Sequence, residues 1–483
     1  MGTGTGDSLS FRDPHNLFVR VGGTAFRLLS PSAADTLRRF ERSSIGSKLV
    51  SEGHVVGWRW SSESESRNVR DACADQLPGR DVSLHMAVQV DEHPLISYPW
   101  EWPTPLLREA ALHTLRVRGD LLREGFDLQD ASPVNVQFAS PAAPCLIDLG
   151  SIVDYEPHPL GWAALRQYVD ELLNPLLLAE SLGIDSSQTV SLFGSGGANA
   201  TNIRPLLGIR RRSSPSLMFF HGATNPRRGG GQVGALRDTG RVEAGQAVRV
   251  ARSQLERLER LVSSIEPGGA LGTEWENYAE RSHYSSDDLR RKIELAREFV
   301  GSGRAAGTVV DLGGNDGLVA TALSADGVRA VTVDPDRGAV ARSAARAIAE
   351  GAAGSPMSLV GDLRTVDESL GLLGCEYPSL ASRLAPSVVL LHSVIHHLSI
   401  TQAIPFDLVV RALRSVAPRA QVEFPLPADE KVVHLLGRVN RWSGDYSLEA
   451  FIAAASRRYG RVEVQGHTSP TRVMITCRDG VVG

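Results

Sequence analysis

Asp311, Asp334 and Asp362 each close a short apolar run, and Gly313, Gly314 and Gly317 follow the first of them. Carboxylates so placed accept hydrogen bonds from hydroxyl or amino groups, each charged bond contributing roughly 1.5–3 kcal/mol. The glycines allow backbone angles and close approaches that a Cβ forbids, so a ligand can lie against the turn and the following helix N-terminus. Asp334 lies 23 residues after Asp311, the separation expected of a carboxylate that holds ribose hydroxyls. The glycines do not form the G-x-G-x-x-G pattern of dinucleotide binders. Further on, Leu390-Leu-His-Ser-Val-Ile-His-His-Leu398 brings His392, His396 and His397 to the end of another apolar run. A histidine there can take a proton from a hydroxyl or an acidic carbon. Glu423, ending the next run, is a second candidate base or an orienting group.

These residues need a sheet to hold them. Apolar, β-branched runs predict strands at 308–312, 328–334, 357–361, 387–392, 420–425, 461–466 and 471–477. Helical stretches separate the first five, which makes those strands parallel, and the last two are close enough for a hairpin. Ser285-Ser-Asp-Asp-Leu opens a helix with a buried side running to Gly301. An earlier helix begins near Ala247, with Leu255, Leu258, Leu261, Val262 and Ile265 on one face.

Asp311-x-Gly313-x-Asn315-x-Gly317 resembles the first motif of class I S-adenosylmethionine (SAM) methyltransferases. The resemblance implies a Rossmann-like α/β domain with strand order 3-2-1-4-5-7-6 and SAM as cofactor. Its ligand crevice would lie where the order reverses, beside strands 1 and 4. Amides of Gly313, Gly314, Asn315 and Gly317 would meet the methionine portion, and Asp311 would orient the turn or accept from the amino group through water. Asp334 would take the ribose, Asp362 and Leu363 the adenine end, and His392 would sit near the sulfonium. His396 and His397 are read either as bases or as packing groups. Thr273-Glu-Trp-Glu-Asn-Tyr278 and Ser282-His-Tyr284 form an aromatic cluster, either a lid that brings Tyr284 to the cofactor or a packing patch.

The first half reads as an α+β domain. Phe18 to Leu29 forms a hairpin around Gly22-Gly23, and Pro105–Arg123 and Leu165–Leu182 form helices. Phe11-Arg-Asp-Pro, Ile96 to Trp102, Asp130 to Phe138, Leu146 to Ser151, Trp162 to Pro175 and Asp445 to Phe451 complete a resemblance to nodulation-protein-type class I methyltransferases. Asp130-x4-Asn135 followed by Leu146-Ile-Asp148 is also similar to the catalytic and metal-binding loops of kinase-like phosphotransferases. Leu128 replaces the histidine of their H-x-D, and no glycine-rich phosphate loop is visible. A degenerate, non-catalytic kinase-like domain is the expectation. The division expected is 1–225 for this domain, 226–246 for a mobile Gly/Arg-rich linker and 247–483 for the methyltransferase domain.

With 483 residues, at least two cores are expected. A net charge of −4 gives no general case for nucleic acid or an anionic membrane as partner. The four cysteines form no C-x-x-C, so neither zinc nor a disulfide framework is expected and no metal site is assigned. No signal peptide or membrane-length apolar run is visible, and the expectation is a cytoplasmic protein. The function expected is SAM-dependent methylation of a small molecule, most simply at oxygen, in specialised metabolism. The alternatives are a nucleotide-dependent phosphotransferase and a SAM-binding sensor or interaction protein.

Overall fold

The computed structural model describes residues 15–73, 86–224, 244–266, 286–301, 307–351, 354–374, 376–438 and 446–479. Tyr284, Trp275, the Phe11-Arg-Asp-Pro motif and the linker up to residue 243 lie outside the described residues. The chain divides into two compact units. The first comprises Met1–Ala139, Ala143–Leu271 and Leu370–Tyr377, and the second Ser140–Ala142, Gly272–Ser369 and Pro378–Gly483.

In the first unit, β1 (Asn16–Val21) and β2 (Thr24–Leu29) pair through the expected turn, where Gly22 and Gly23 both hold positive φ. With β3 (Trp58–Trp60) and β4 (Met86–Val90) they form an antiparallel sheet of order β1-β2-β4-β3. Leu17, Val19, Phe26, Leu28, Val69 and Ala87 make its core. Helix Thr104–Leu121 runs through the unit's centre, with Leu106, Leu107, Leu115 and Leu121 fully buried. Two short ribbons follow. One pairs β5 (Phe126–Leu128) with β8 (Ile152–Asp154), the other β6 (Val136–Phe138) with β7 (Pro144–Leu146). They carry the loops of Asp130, Asn135 and Asp148.

Two expectations need correction. The helix expected over Leu165–Leu182 is interrupted: Leu165–Tyr168 passes through a wider π turn, Val169–Leu173, into Asn174–Leu182. Pro175 lacks an amide hydrogen and crowds the carbonyl four residues before it, and a widened turn relieves both. The helix assigned to the methyltransferase domain from 247 is Ala244–Ser263, and it belongs to the first unit. Its Ala251 and Leu255 pack on Leu122 and Tyr155, and Gln254 donates to the Leu160 carbonyl at 2.7 Å.

The second unit contains β9 (Thr308–Leu312), β10 (Arg329–Asp334), β11 (Met357–Val360), β12 (Val388–Leu391), β13 (Arg419–Pro425), β14 (Arg461–Ser469) and β15 (Arg472–Arg478). The order is β11-β10-β9-β12-β13-β15-β14. Counted within the unit this is 3-2-1-4-5-7-6, as expected. β15 is antiparallel to both neighbours, and β9 lies between β10 and β12. Val309 and Val310 point to opposite faces of β9 and both are fully buried, so helices must cover both sides. One such helix, Ser286–Val300, packs Ala296, Phe299 and Val300 on Val309, Val388 and Leu390.

Leu390 is completely buried in that cluster. Leu390→Ala is expected to destabilise the second unit by about 3 kcal/mol, read from urea unfolding followed by circular dichroism.

Candidate functional site

The chain leaves β9 through a turn with three left-handed residues, Gly313, Asn315 and Gly317. Asparagine tolerates this conformation better than most side chains, and glycine has no cost there. A Cβ on Gly313 would stand 2.3 Å from Val394 Cγ2, and one on Gly314 would stand 2.5 Å from Asp311 Oδ2. The turn is thus wedged between the loop after β12 and the carboxylate that ends β9.

Most of its amides are already committed. Gly313 N donates to the Val333 carbonyl, Asn315 N to Asp334 Oδ2 at 2.7 Å and Gly317 N to the Gly314 carbonyl. These three hold the turn's shape, which corrects their expected role as ligand donors. Among the described residues, only the Gly314 amide of this set lacks an intramolecular acceptor.

Asp334 also accepts from Asp336 N at 2.7 Å, so each of its oxygens holds one backbone amide. Each oxygen keeps a further lone pair for a hydroxyl. Burial raises this carboxyl to about 6 despite those bonds. Asp311 is more extreme. It is 2% exposed, and neither carboxylate oxygen has a hydrogen-bond partner among the described residues. Burial pushes it up to about 7; Lys292 opposes the shift and the neighbouring Asp334 and Asp316 add to it. Asp362 is half-buried, with Arg364 donating to both its oxygens at 3.0 and 2.6 Å. The adenine-end acceptor foreseen there is therefore spent on a surface arginine in this state, while Leu363 beside it stays half-exposed.

The loop after β12 separates the three histidines. His392 is buried, with Nε2 3.1 Å from Gln421 Oε1 on the adjacent strand, and burial lowers it to about 4. It is a core residue rather than a crevice contact, because its ring is turned to the sheet neighbour. His396 is 2% exposed, its Nδ1 has no partner among the described residues, and burial followed by repulsion from His397 and Arg472 holds it well below the usual histidine range. His397 is half-buried and lies 4.2 Å from His396 between ring centres.

Glu423 is not an available base. It is fully buried and ion-paired to Lys292 at 2.9 Å. Thr468 Oγ1 donates to it at 2.6 Å and Ser393 Oγ at 2.5 Å. Burial alone would raise its pKa, but Lys292, His392 and Arg472 outweigh this and hold it far below the carboxylate range. Ser393 adopts φ 57°, unusual for a side chain with a Cβ. There its hydroxyl accepts from both Lys292 and Arg472 at 3.2 Å, and Arg472 Nε donates to Asp429 at 2.8 Å. The sequence did carry a signal for this network: the chain's 51 basic residues include three lysines, and one of them, Lys292, is buried here.

An open, mostly parallel sheet of this order, closed by an antiparallel pair and with a glycine turn after its central strand, is the class I methyltransferase fold. The unpartnered Asp311 oxygens beside the turn fit the ammonium end of SAM, and the two lone pairs on Asp334 fit a ribose diol. No family model matches the chain. It is 30% identical over 461 residues to "Nodulation protein NoeA" of Rhizobium meliloti (strain 1021), covering 93% of this chain and 91% of that one. The chain belongs to the NoeA family. Partial likenesses among solved structures include monomeric WbdD, with TM-score 0.30 and 18% identity over 44% of this chain and 45% of that one. Another is magnesium protoporphyrin IX methyltransferase (ChlM) from Synechocystis PCC 6803 with bound SAM, with TM-score 0.30 and 14% identity over 44% and 87%.

Removing Glu423 would leave Lys292 buried without its counter-ion. Glu423→Ala is therefore expected to cost about 3–5 kcal/mol in urea unfolding, well above the cost of an exposed ion pair. The native contribution should be full above the ordinary carboxylate pKa and be lost progressively as pH falls from there toward the depressed folded value.

Proposed function

We propose that this protein is a SAM-dependent methyltransferase that methylates an oxygen of a small molecule in bacterial specialised metabolism. The observation that carries the reading is Asp311, a buried carboxylate at the end of the central strand whose oxygens have no hydrogen-bond partner among the described residues. Family membership alone leaves the acceptor open. The cofactor, when bound, would supply an electrophilic methyl group on a sulfonium.

The chain's own residues would do the rest. Asp311 holds the ammonium and Asp334 the ribose hydroxyls, which fixes the direction of the methyl group; such alignment accounts for much of the rate in a displacement of this kind. His397, the more exposed of the adjacent histidines, takes the acceptor's hydroxyl proton. His396 packs behind it as a neutral ring and positions it.

Asp148 weighs against phosphoryl transfer in the first unit. Its carboxylate is paired with Arg27 at 2.6 Å, accepts from Asn16 at 3.0 Å and caps Gly150. A buried guanidinium thus occupies the carboxylate that a kinase uses for magnesium. Among the described residues, no helix is long and apolar enough to cross a membrane. Cys73, Cys145 and Cys477 are buried free thiols, which supports placing the protein in a reducing cytoplasm.

S-adenosylhomocysteine is expected to bind by isothermal titration, and Asp334→Ala to weaken it at least about tenfold. Unchanged affinity would remove the cofactor assignment. His397→Ala is expected to lower single-turnover methylation about a hundredfold while leaving that affinity within about twofold. Full turnover would leave alignment as the whole mechanism.

A further inference from the structure

The charge of this chain is unevenly distributed. No aspartate or glutamate occurs between Asp185 and Asp238, in a chain that contains 55 acids. The described part of that stretch lies in the first unit and carries Arg204, Arg210, Arg211 and Arg212. Arg211 is tied inward, donating twice to Glu180 at 2.6 Å. Arg204, Arg210 and Arg212 have no acidic partner among the described residues, and all three are exposed.

Large apolar side chains are exposed along the same stretch of chain. Leu206 is 48% exposed, Ile209 78%, Met218 48% and Phe219 49%. Helix Pro215–Thr224 explains the last two. Leu217 and Phe220 turn into the unit, and the Met218-Phe219 doublet between them is left outside. Arg257, on helix Ala244–Ser263, lies over the Phe219 ring at 5.8 Å and adds another cation to the rim.

We propose that this surface docks on an anionic lipid bilayer, with Ile209, Met218 and Phe219 entering the acyl boundary and Arg204, Arg210 and Arg212 meeting the headgroups. Exposed apolar tips among arginines without an acidic partner, on a stretch of chain free of acids from residue 186 to residue 237, match such an interface. Two other occupants fit less well. A symmetric contact between two copies would set these arginines against one another. Nucleic acid would leave Ile209 and Met218 without a use, since its binders pair cations with stacking aromatics. The expectation of no membrane partner rested on the net charge of the whole chain and on the lack of a membrane-length apolar run, and this stretch departs from the average charge.

The test is flotation of the full-length protein with phosphatidylcholine vesicles, with and without about 30% phosphatidylglycerol, at low and high salt. The expected result is binding only to the anionic vesicles, weakened at least about fivefold by high salt. Met218→Ser with Phe219→Ser, and separately Arg210→Gln with Arg212→Gln, should each reduce binding about fivefold or more. Far-ultraviolet circular dichroism and a urea-unfolding midpoint unchanged from wild type would show that the variants remain folded. Failure to float with anionic vesicles, or flotation that both double variants retain in full, would overturn the proposal. So would a concentration-dependent dimer, seen by sedimentation, that Met218→Ser with Phe219→Ser dissolves, since that would give the surface to a second copy.

Discussion

A carboxylate buried without a hydrogen-bond donor is among the costliest features a fold can carry, and among the described residues the second unit places one, Asp311, at the end of its central strand. Asp311 lies against the Gly314 backbone, so the glycine turn cannot move without disturbing it. The turn in turn fixes Asp334 through the Asn315 amide. Partial protonation relieves the cost in the empty protein, as the rise to about 7 indicates. A ligand ammonium would relieve it better.

The neighbouring charges are treated in the opposite way. Lys292, Glu423, Arg472 and Asp429 are equally buried, but each has its opposite within hydrogen-bonding distance, with Ser393 at the centre. The contrast separates a stabilising cluster from a binding one. The closed network stiffens the ends of β12 and β13 and the start of β15, and so holds the loop that carries His396 and His397. Ser393's left-handed backbone is accounted for by that network, since a relaxed turn would remove its hydroxyl from three partners.

The sheet was legible because its strands are continuous apolar runs bounded by glycine and acid, a pattern that few other structures share. All seven strands formed within a few residues of their expected bounds. Side-chain roles were less legible, because type and spacing do not reveal what lies across the strand. Glu423 looked like a base until Lys292 arrived from a helix 131 residues earlier in the chain. His392 looked like a crevice residue until Gln421 faced it. The amides of Gly313, Asn315 and Gly317 are present as expected but consumed by the turn they build. Helix Ala244–Ser263 was assigned to the wrong unit because an amphipathic face shows that a helix packs without showing on what.

The most direct test of the Asp311 assignment is the proton balance of cofactor binding. Titrating S-adenosylhomocysteine calorimetrically near pH 7, in buffers of different ionisation enthalpy, separates protons released from heat of binding. With a carboxyl raised to about 7 that an ammonium must ionise, the account predicts net release of protons. It predicts more near pH 6, where Asp334 contributes as well, and a marked reduction at pH 7 in Asp311→Asn. Binding with no proton release at pH 7, or the same release from Asp311→Asn, would contradict it.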